Sequence, residues 1–461
     1  MIESERISHL NDSSIDEDGQ YVLYWMQQSQ REAHNPSLEY VIRRANDLGK
    51  PVICAFGLHA EYPDANLRHF AFMLEGLAET ASRLADRGIK LVGRFGSPPD
   101  VAADLAGDAA LVVCDRGYLR HQRGWHDELA RSCAVAVVQV EGDVVVPVDV
   151  ASDKQEWAAR TIRGKINRHR DRFIRTLKRT RPGKSSLPLQ VSGDVDFRDA
   201  SAVLASLDVD RSVAARRRFA GGTEAAQSVL TRFIRKYLDG YADARNDPAE
   251  PQASQLSPYL HFGQISPVEV AAKIVRAKSG TADDKDAFLE ELIVRRELAV
   301  NFVYFCEDYD SYTCLPDWAL QTLEEHRDDP RPERYTRRQL ESAETHDAYW
   351  NAAMQEMLKT GYMHNYMRMY WGKKIIEWTN TPEYAYSTAL YLNNKYFLDG
   401  RDPNSYANVA WLFGLHDRAW AERDVFGKVR YMNASGLESK FDIDSYVNWV
   451  ESIQQEGDDG D

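Results

Sequence analysis

The chain has 461 residues, of which 43% are hydrophobic and 28% are charged. This composition is typical of a globular protein with two to four domains and excludes a mainly disordered or fibrous chain. The longest apolar runs have six residues, well short of the roughly 18 that a membrane span needs. The first residues lack a basic-then-apolar signal, so we expect a cytoplasmic protein. The five cysteines include no CxxC pair, so neither a zinc site nor a disulfide framework is indicated.

The first 150 residues alternate between strand and helix patterns. Such alternation predicts a parallel sheet with helices on both faces, here an α/β, Rossmann-like domain over residues 20–150. No GxGxxG or Walker sequence follows a strand, so ordinary dinucleotide or P-loop binding is not indicated. The predicted strands are residues 21–26, 51–58, 89–95, 109–115 and 135–140, and the predicted helices are 69–88 and 99–105.

A basic tract stands out in an otherwise acidic chain. The net charge is −14, yet residues 160–184 contain eleven Lys or Arg and a single acid, Asp171. A concentrated basic stretch is typical of a phosphate-binding face, and a solvated linker is the alternative. We predict that residues 151–223 form a basic linker between two domains.

Residues 224–450 have an almost wholly helical pattern, which predicts an all-α second domain. The clearest predicted helices are residues 225–240, 267–277, 285–305, 347–359, 362–378 and 381–391.

One helical face in this region carries unusual side chains. His364, Arg368, Trp371, Ile375 and Trp378 recur at spacings of four, three, four and three, which places them on the same side of a helix. The two indoles lie roughly 10 Å apart along the axis. Trp350, on the preceding helix, could complete a row of three indoles able to pass an electron, and a plain Trp-rich core is the alternative. A buried Arg368 requires a partner.

Two loops add polar groups to this region. The turn Leu398–Asn404 contains Asp399, which is a natural partner for Arg368. The segment Ser254–Gly263 (SQLSPYLHFG) places two serines and a proline at the start of a helix. It could cradle a phosphate, and it could equally be an ordinary capping loop.

Four segments together closely resemble the photolyase–cryptochrome superfamily, and their residues resemble those of class II cyclobutane pyrimidine dimer photolyases. They are SQLSPYLHFG, GYMHNYMRMYWGKKIIEW, DGRDPN and HDRAW, and the similarity spans about residues 20–445. The resemblance implies an α/β antenna domain, a basic linker and an all-helical domain that holds FAD in a bent conformation.

The resemblance also implies roles for individual residues. It implies that the flavin is held by Tyr241, Ser254, Leu256, Ser257, Arg368, Asn393 and Asp399. Glu291 matches the acid that hydrogen-bonds the dimer, and an exposed helix carboxylate is the alternative. Trp411 and Arg245 match residues beside the lesion. Where some members carry a second Trp, this chain has Arg295, which we expect to stack or to contact phosphate instead.

The implied activity is light-driven repair of DNA. In such a reaction, light excites the reduced anionic flavin, an electron passes to a dimer flipped out of the duplex, the dimer splits and the electron returns. Trp350, Trp371 and Trp378 match the class II electron route, in an order that the sequence leaves open. An antenna chromophore, a deazaflavin or a folate, remains open as well.

We expect a monomer that binds double-stranded DNA containing pyrimidine dimers. Two alternatives stand beside repair. One is a cryptochrome-like blue-light receptor with FAD but no repair, and the other is a non-catalytic helical protein that binds nucleic acid.

Overall fold

A six-stranded sheet organises the amino-terminal part of the chain. The structure, a computed structural model, describes residues 2–215, 217–250 and 252–455, with side chains described to residue 453. The strand order is β1-β6-β5-β2-β3-β4, and all neighbours are parallel except β1 and β6. The strands are β1 (Ile7–His9), β2 (Tyr21–Trp25), β3 (Val52–Leu58), β4 (Lys90–Phe95), β5 (Ala109–Asp115) and β6 (Val137–Val140).

Helices cover both faces of this sheet, as the sequence predicted. Because side chains alternate along a strand, Val22 and Tyr24 of β2 point to one core, whereas Leu23 and Trp25 point to another. Helices α1 and α2 pack on the first core, and α3 and α4 pack on the second. These helices are α1 (Pro36–Asp47), α2 (Leu67–Asp86), α3 (Pro98–Ala106) and α4 (Arg120–Ser132).

The segment that follows β6 packs first against the helical region and then against the strands of the sheet. It contains α5 (Val148–Ala151), α6 (Ala159–Phe173) and α7 (Ala200–Ser206). The Phe197 ring meets Phe56 of β3 edge to face at 5.7 Å. A Cβ on Gly93 of β4 would come within 2.4 Å of Phe197, so only glycine allows this close approach.

The rest of the chain is helical. Its helices are α8 (Thr223–Lys236), α9 (Tyr241–Ala244), α10 (Ser257–His261), α11 (Pro267–Arg276), α12 (Ala282–Leu289), α13 (Arg296–Phe305), α14 (Asp317–Glu325), α15 (Arg337–Glu341), α16 (Ala348–Thr360), α17 (Asn365–Trp378), α18 (Pro382–Tyr396), α19 (Pro403–Leu412), α20 (Ala434–Glu438) and α21 (Ile443–Gln455). Among the residues that the structure describes, no helix is long and apolar enough to cross a bilayer.

Two helical predictions were wrong in detail. The predicted helix 285–305 is interrupted by a π-helical turn, Glu290–Arg295, between α12 and α13. The helix predicted to begin at Tyr362 begins at Asn365 instead, because the His364 side chain accepts a hydrogen bond from the Tyr366 backbone and caps α17.

Candidate active site

A cavity of about 650 Å³ opens into the helical region. This volume is within the range of sites that bind large organic ligands. Twelve of the fourteen residues selected from the sequence line it: Tyr241, Arg245, Ser254, Leu256, Ser257, Glu291, Arg295, Arg368, Trp371, Asn393, Asp399 and Trp411. The other two, Trp350 and Trp378, lie behind its wall and do not line it.

Arg368 and Asp399 form the ion pair that the sequence predicted. The guanidinium of Arg368 contacts both carboxylate oxygens of Asp399 at 3.1 Å. Its Nε donates to the Met363 carbonyl, and its carbon centre lies 3.9 Å from the centroid of the Phe397 ring. These contacts fix a positive charge at the cavity wall in one orientation.

Glu291 lies in the π-helical turn and is held by Arg245. The Nη1 atom of Arg245 donates to Glu291 Oε1 at 2.9 Å. The Arg245 carbonyl in turn lies 3.2 Å from Nε2 of His364. Burial lowers the pKa of His364 to about 4, so this imidazole is neutral near pH 7 and donates through Nε2 while Nδ1 caps α17.

Arg295 belongs to a charged network at the cavity edge. It contacts Glu290 at 3.2 Å, and Glu290 also accepts two hydrogen bonds from Arg163 of α6. Residues five apart, such as 290 and 295, come onto nearly the same side in a π-helical turn. The turn therefore presents Arg295 to the cavity edge beside Glu291.

Two basic side chains that the sequence analysis missed lie close to the ring of Trp411, at the end of α19. Nζ of Lys373 is 5.1 Å from its ring centroid, and the guanidinium of Arg430 is 5.5 Å away. Lys373 is fully buried and donates to the Leu412 carbonyl. Burial lowers the pKa of Lys373 to about 7. Lysines are seldom buried, so no sequence signal identified it.

The three selected tryptophans lie together, beginning with Trp371 at the cavity wall. Trp371 lines the cavity, and its buried Nε1 has no hydrogen-bond partner among the described residues. The Nε1 of Trp350 donates to the Trp371 carbonyl at 2.9 Å. The rings of Trp350 and Trp378 are 5.7 Å apart. Beyond them, Tyr335 meets Trp378 at 5.4 Å.

A second cavity, of about 110 Å³, lies between the sheet and the helical region. It opens beyond the carboxyl ends of β2 and β3, where residues such as Met26 and His59 line it. Leu119, which follows β5, lines it as well, so the cavity reaches the topological switch point between β2 and β5, where open α/β sheets bind ligands.

His261 and Asp402 line both cavities and form their common wall. Nδ1 of His261 lies 3.2 Å from Asp402 Oδ2. Burial opposes ionisation of Asp402, but the contact with His261 and the charge of Arg296 outweigh it and lower its pKa to about 2.

Five of the eleven cations of the basic tract are paired with acids of the protein itself. Arg163, Lys165, Arg170, Arg172 and Arg179 form ion pairs with acids elsewhere in the protein. These pairs attach the segment to both parts of the molecule. The prediction of a DNA-binding tract therefore applies to its remaining cations.

Comparisons with known proteins decide the family. The model of the DNA photolyase family matches residues 22–183. The chain is 50% identical to the deoxyribodipyrimidine photo-lyase of Methanothermobacter thermautotrophicus, over 99% of this chain and 100% of that protein. It is 41% identical to the deoxyribodipyrimidine photo-lyase of Oryza sativa, over 94% of this chain and 88% of that one. The chain belongs to the DNA photolyase family.

Solved structures of photolyases and a cryptochrome share the fold. A class III photolyase from Agrobacterium tumefaciens matches with a TM-score of 0.72 and 19% identity, over 95% of this chain and 87% of that one. A Synechocystis cryptochrome matches with a TM-score of 0.70 and 16% identity, over 93% and 88%. The predicted fold class is thereby confirmed.

Membership of the photolyase family implies an FAD cofactor, and the large cavity fits one. It has the volume for a large ligand, a fixed Arg368–Asp399 pair and the unpartnered indole nitrogen of Trp371. A buried donor without a partner is costly unless a ligand satisfies it. The residues present are therefore compatible with a bound flavin.

Proposed function

We propose that this chain is a class II deoxyribodipyrimidine photolyase that repairs cyclobutane pyrimidine dimers in DNA under light. One observation carries the proposal: residues from six separate segments, selected because they resemble photolyase motifs, line one cavity. The identity of 50% to a photo-lyase along the whole chain supports it.

One side of the cavity is proposed to hold FAD. Ser254 and Ser257 are suited to the phosphates, with Leu256 and Tyr241 beside them. Bound reduced FAD supplies a light-excited electron donor. Arg368, fixed by Asp399, places a positive charge where it offsets negative charge on the flavin ring. Asn393 lines the same cavity, and its amide donates to Asn394.

The other side is proposed to receive the flipped dimer. Glu291 would hydrogen-bond the dimer and stabilise its radical anion. Arg245 now occupies one oxygen of Glu291, so a dimer must share or replace that contact. Trp411 offers a flat apolar surface, and Arg295 at the edge takes the place of a second aromatic residue.

The three tryptophans are proposed to carry electrons to the flavin from outside. Trp371 lines the cavity, Trp350 contacts Trp371, and Trp378 contacts Trp350. We therefore infer the order Trp371, Trp350, Trp378 from the cavity outward.

We also propose that the second cavity holds an antenna chromophore, a deazaflavin or a folate. Its position at the switch point of the sheet supports this proposal. Its volume of about 110 Å³ is below that of most ligand sites, so such a chromophore would extend beyond it. The domains are proposed at residues 20–150 and 224–450 with the linker between them, and the enzyme is proposed to act as a monomer.

The test is an absorption spectrum of the purified protein followed by a repair assay. We expect a flavin spectrum and conversion of dimer-containing DNA only when the protein is reduced and illuminated. A flavin-containing protein that leaves dimers intact under light would favour a signalling role. A protein without flavin would overturn the proposal.

A further inference from the structure

Trp157 is an exposed tryptophan just before α6. Its side chain is 53% exposed, the highest value among the large hydrophobic residues that the structure describes. The guanidinium of Arg160 lies 4.2 Å from its ring centroid. Within the described part of the chain, Arg160 forms no ion pair with an acid. Its charge is therefore available to an external partner.

The Trp157–Arg160 stack lies close to the edge of the large cavity. Arg163 follows Arg160 by one helical turn and binds Glu290, which also binds the cavity residue Arg295. The next residue after Glu290 is Glu291. The ion-pair network of Arg163, Glu290 and Arg295 therefore begins one helical turn from the stack and ends at the proposed lesion site.

The backbone beneath Trp157 is fixed rather than free. The Glu156 amide donates to Asn301 Oδ1 at 2.7 Å, and Nδ2 of Asn301 donates to the Lys154 carbonyl at 2.9 Å. The Glu156 side chain accepts from Lys165 and from Ser152. A rigid aromatic platform loses little conformational entropy when a partner stacks on it.

Extrusion of a dimer creates the chemistry that such a platform would recognise. When two bases leave the duplex, the bases next to the gap lose stacking neighbours. An aromatic ring can replace a lost neighbour, and an adjacent arginine can bind the phosphate beside it.

We propose that Trp157 stacks on a DNA base at the edge of the gap while Arg160 binds a neighbouring phosphate. The inference rests on the proposed function, because DNA with an extruded dimer is the partner. It adds a contact surface outside the cavity.

Binding in the dark tests this surface without requiring repair. The probe is a duplex with one pyrimidine dimer and 2-aminopurine, a fluorescent base, beside or opposite it. We expect Trp157→Ala to weaken binding about tenfold and to restore the 2-aminopurine fluorescence that stacking quenches in the parent complex. Arg160→Met should reduce the log–log salt slope of affinity by about one.

Tyr384→Ala is the matched control. Tyr384 is 37% exposed and lies under the guanidinium of Arg337 at 5.3 Å, but it does not line the large cavity. Its variant should bind as the parent does.

If Trp157→Ala keeps the thermal stability of the parent protein and also its DNA affinity and its 2-aminopurine quenching, the proposed contact surface is wrong. Equal weakening by Tyr384→Ala would overturn it as well, since the effect would not be local. Absence of light-driven repair by the parent protein would instead overturn the proposed function.

Discussion

The indole of Trp350 donates a hydrogen bond to the backbone carbonyl of Trp371 at 2.9 Å. This bond joins α16 to α17 directly behind the cavity wall. Because both residues are almost fully buried, it holds the two helices in a fixed relation. The proposed electron route therefore runs through a rigid part of the molecule.

Replacing Trp371 with Phe should abolish light-driven reduction of oxidised flavin. Phe preserves most of the packing, so stability should fall by only about 1 kcal/mol, whereas its ring is far harder to oxidise. The measurement is flavin absorbance under blue light with an external thiol. Trp350→Phe and Trp378→Phe should behave alike, and Trp449→Phe on α21 serves as control. Normal photoreduction in all three variants would mean that these tryptophans only pack the core and carry no electrons.

Glu291→Gln should lower the repair yield while the flavin spectrum stays unchanged. Gln keeps the shape of the side chain but removes the charge that Arg245 now contacts. The measurement is dimers repaired per photon absorbed with chemically reduced protein. Asp286→Asn, a neighbouring exposed acid on α12, is the control. Unaltered repair in Glu291→Gln would contradict the role of this carboxylate.

DNA affinity should fall steeply with salt. With about five phosphate contacts, the log–log slope should be about −4 to −5. Six cations of the basic tract are enough for about five phosphate contacts, because they form no ion pair among the described residues. They are Arg160, Arg168, Arg175, Lys178, Arg181 and Lys184. Titrations at several salt concentrations measure the slope. A slope near zero would mean that the tract is only a solvated linker.

The stability gained by Lys373→Met should depend on pH. Burial lowers the pKa of Lys373 to about 7, whereas an unfolded lysine titrates near 10.4. Between pH 7 and pH 10 the unfolded chain therefore binds one more proton at this lysine than the folded chain does. The lysine destabilises the fold by the largest amount below pH 7, and by progressively less as pH rises to 10.

As pH rises from 7 to 10, the unfolding free energy of the parent protein should therefore increase relative to that of Lys373→Met. The lost hydrogen bond to Leu412 adds a cost that does not change with pH. Denaturant melts at pH 7 and pH 9.5 make the comparison. A difference that stays constant would mean that Lys373 keeps its charge throughout.

Much of the sheet followed from the sequence because buried parallel strands are continuous apolar runs. β5 was predicted with its observed bounds, and β2 and β3 within one residue. β1 has only three residues and α4 is strongly polar on average, and neither was predicted. The π-helical turn was missed because its residues fit an α-helical pattern equally well.

The candidate site was predicted through motifs rather than through periodicity. A buried arginine requires a partner, which predicts the observed contact between Arg368 and Asp399. The ion pairs of the basic tract could not be predicted, because acids such as Glu5 and Glu290 are far away in the sequence. Lys373 was missed because a lysine buried without a carboxylate partner contradicts ordinary burial preferences.

His261 and Asp402, which line both cavities, are the structural link through which binding in one cavity would affect binding in the other. If occupation of one cavity shifts this pair, the affinity of the other cavity changes by some factor. Linkage then requires the reverse effect to have the same factor. Two binding isotherms, each measured with the other cavity empty and then filled, would yield one coupling free energy. If the two cavities hold the proposed antenna chromophore and flavin, the His261–Asp402 contact links the retention of one to the retention of the other.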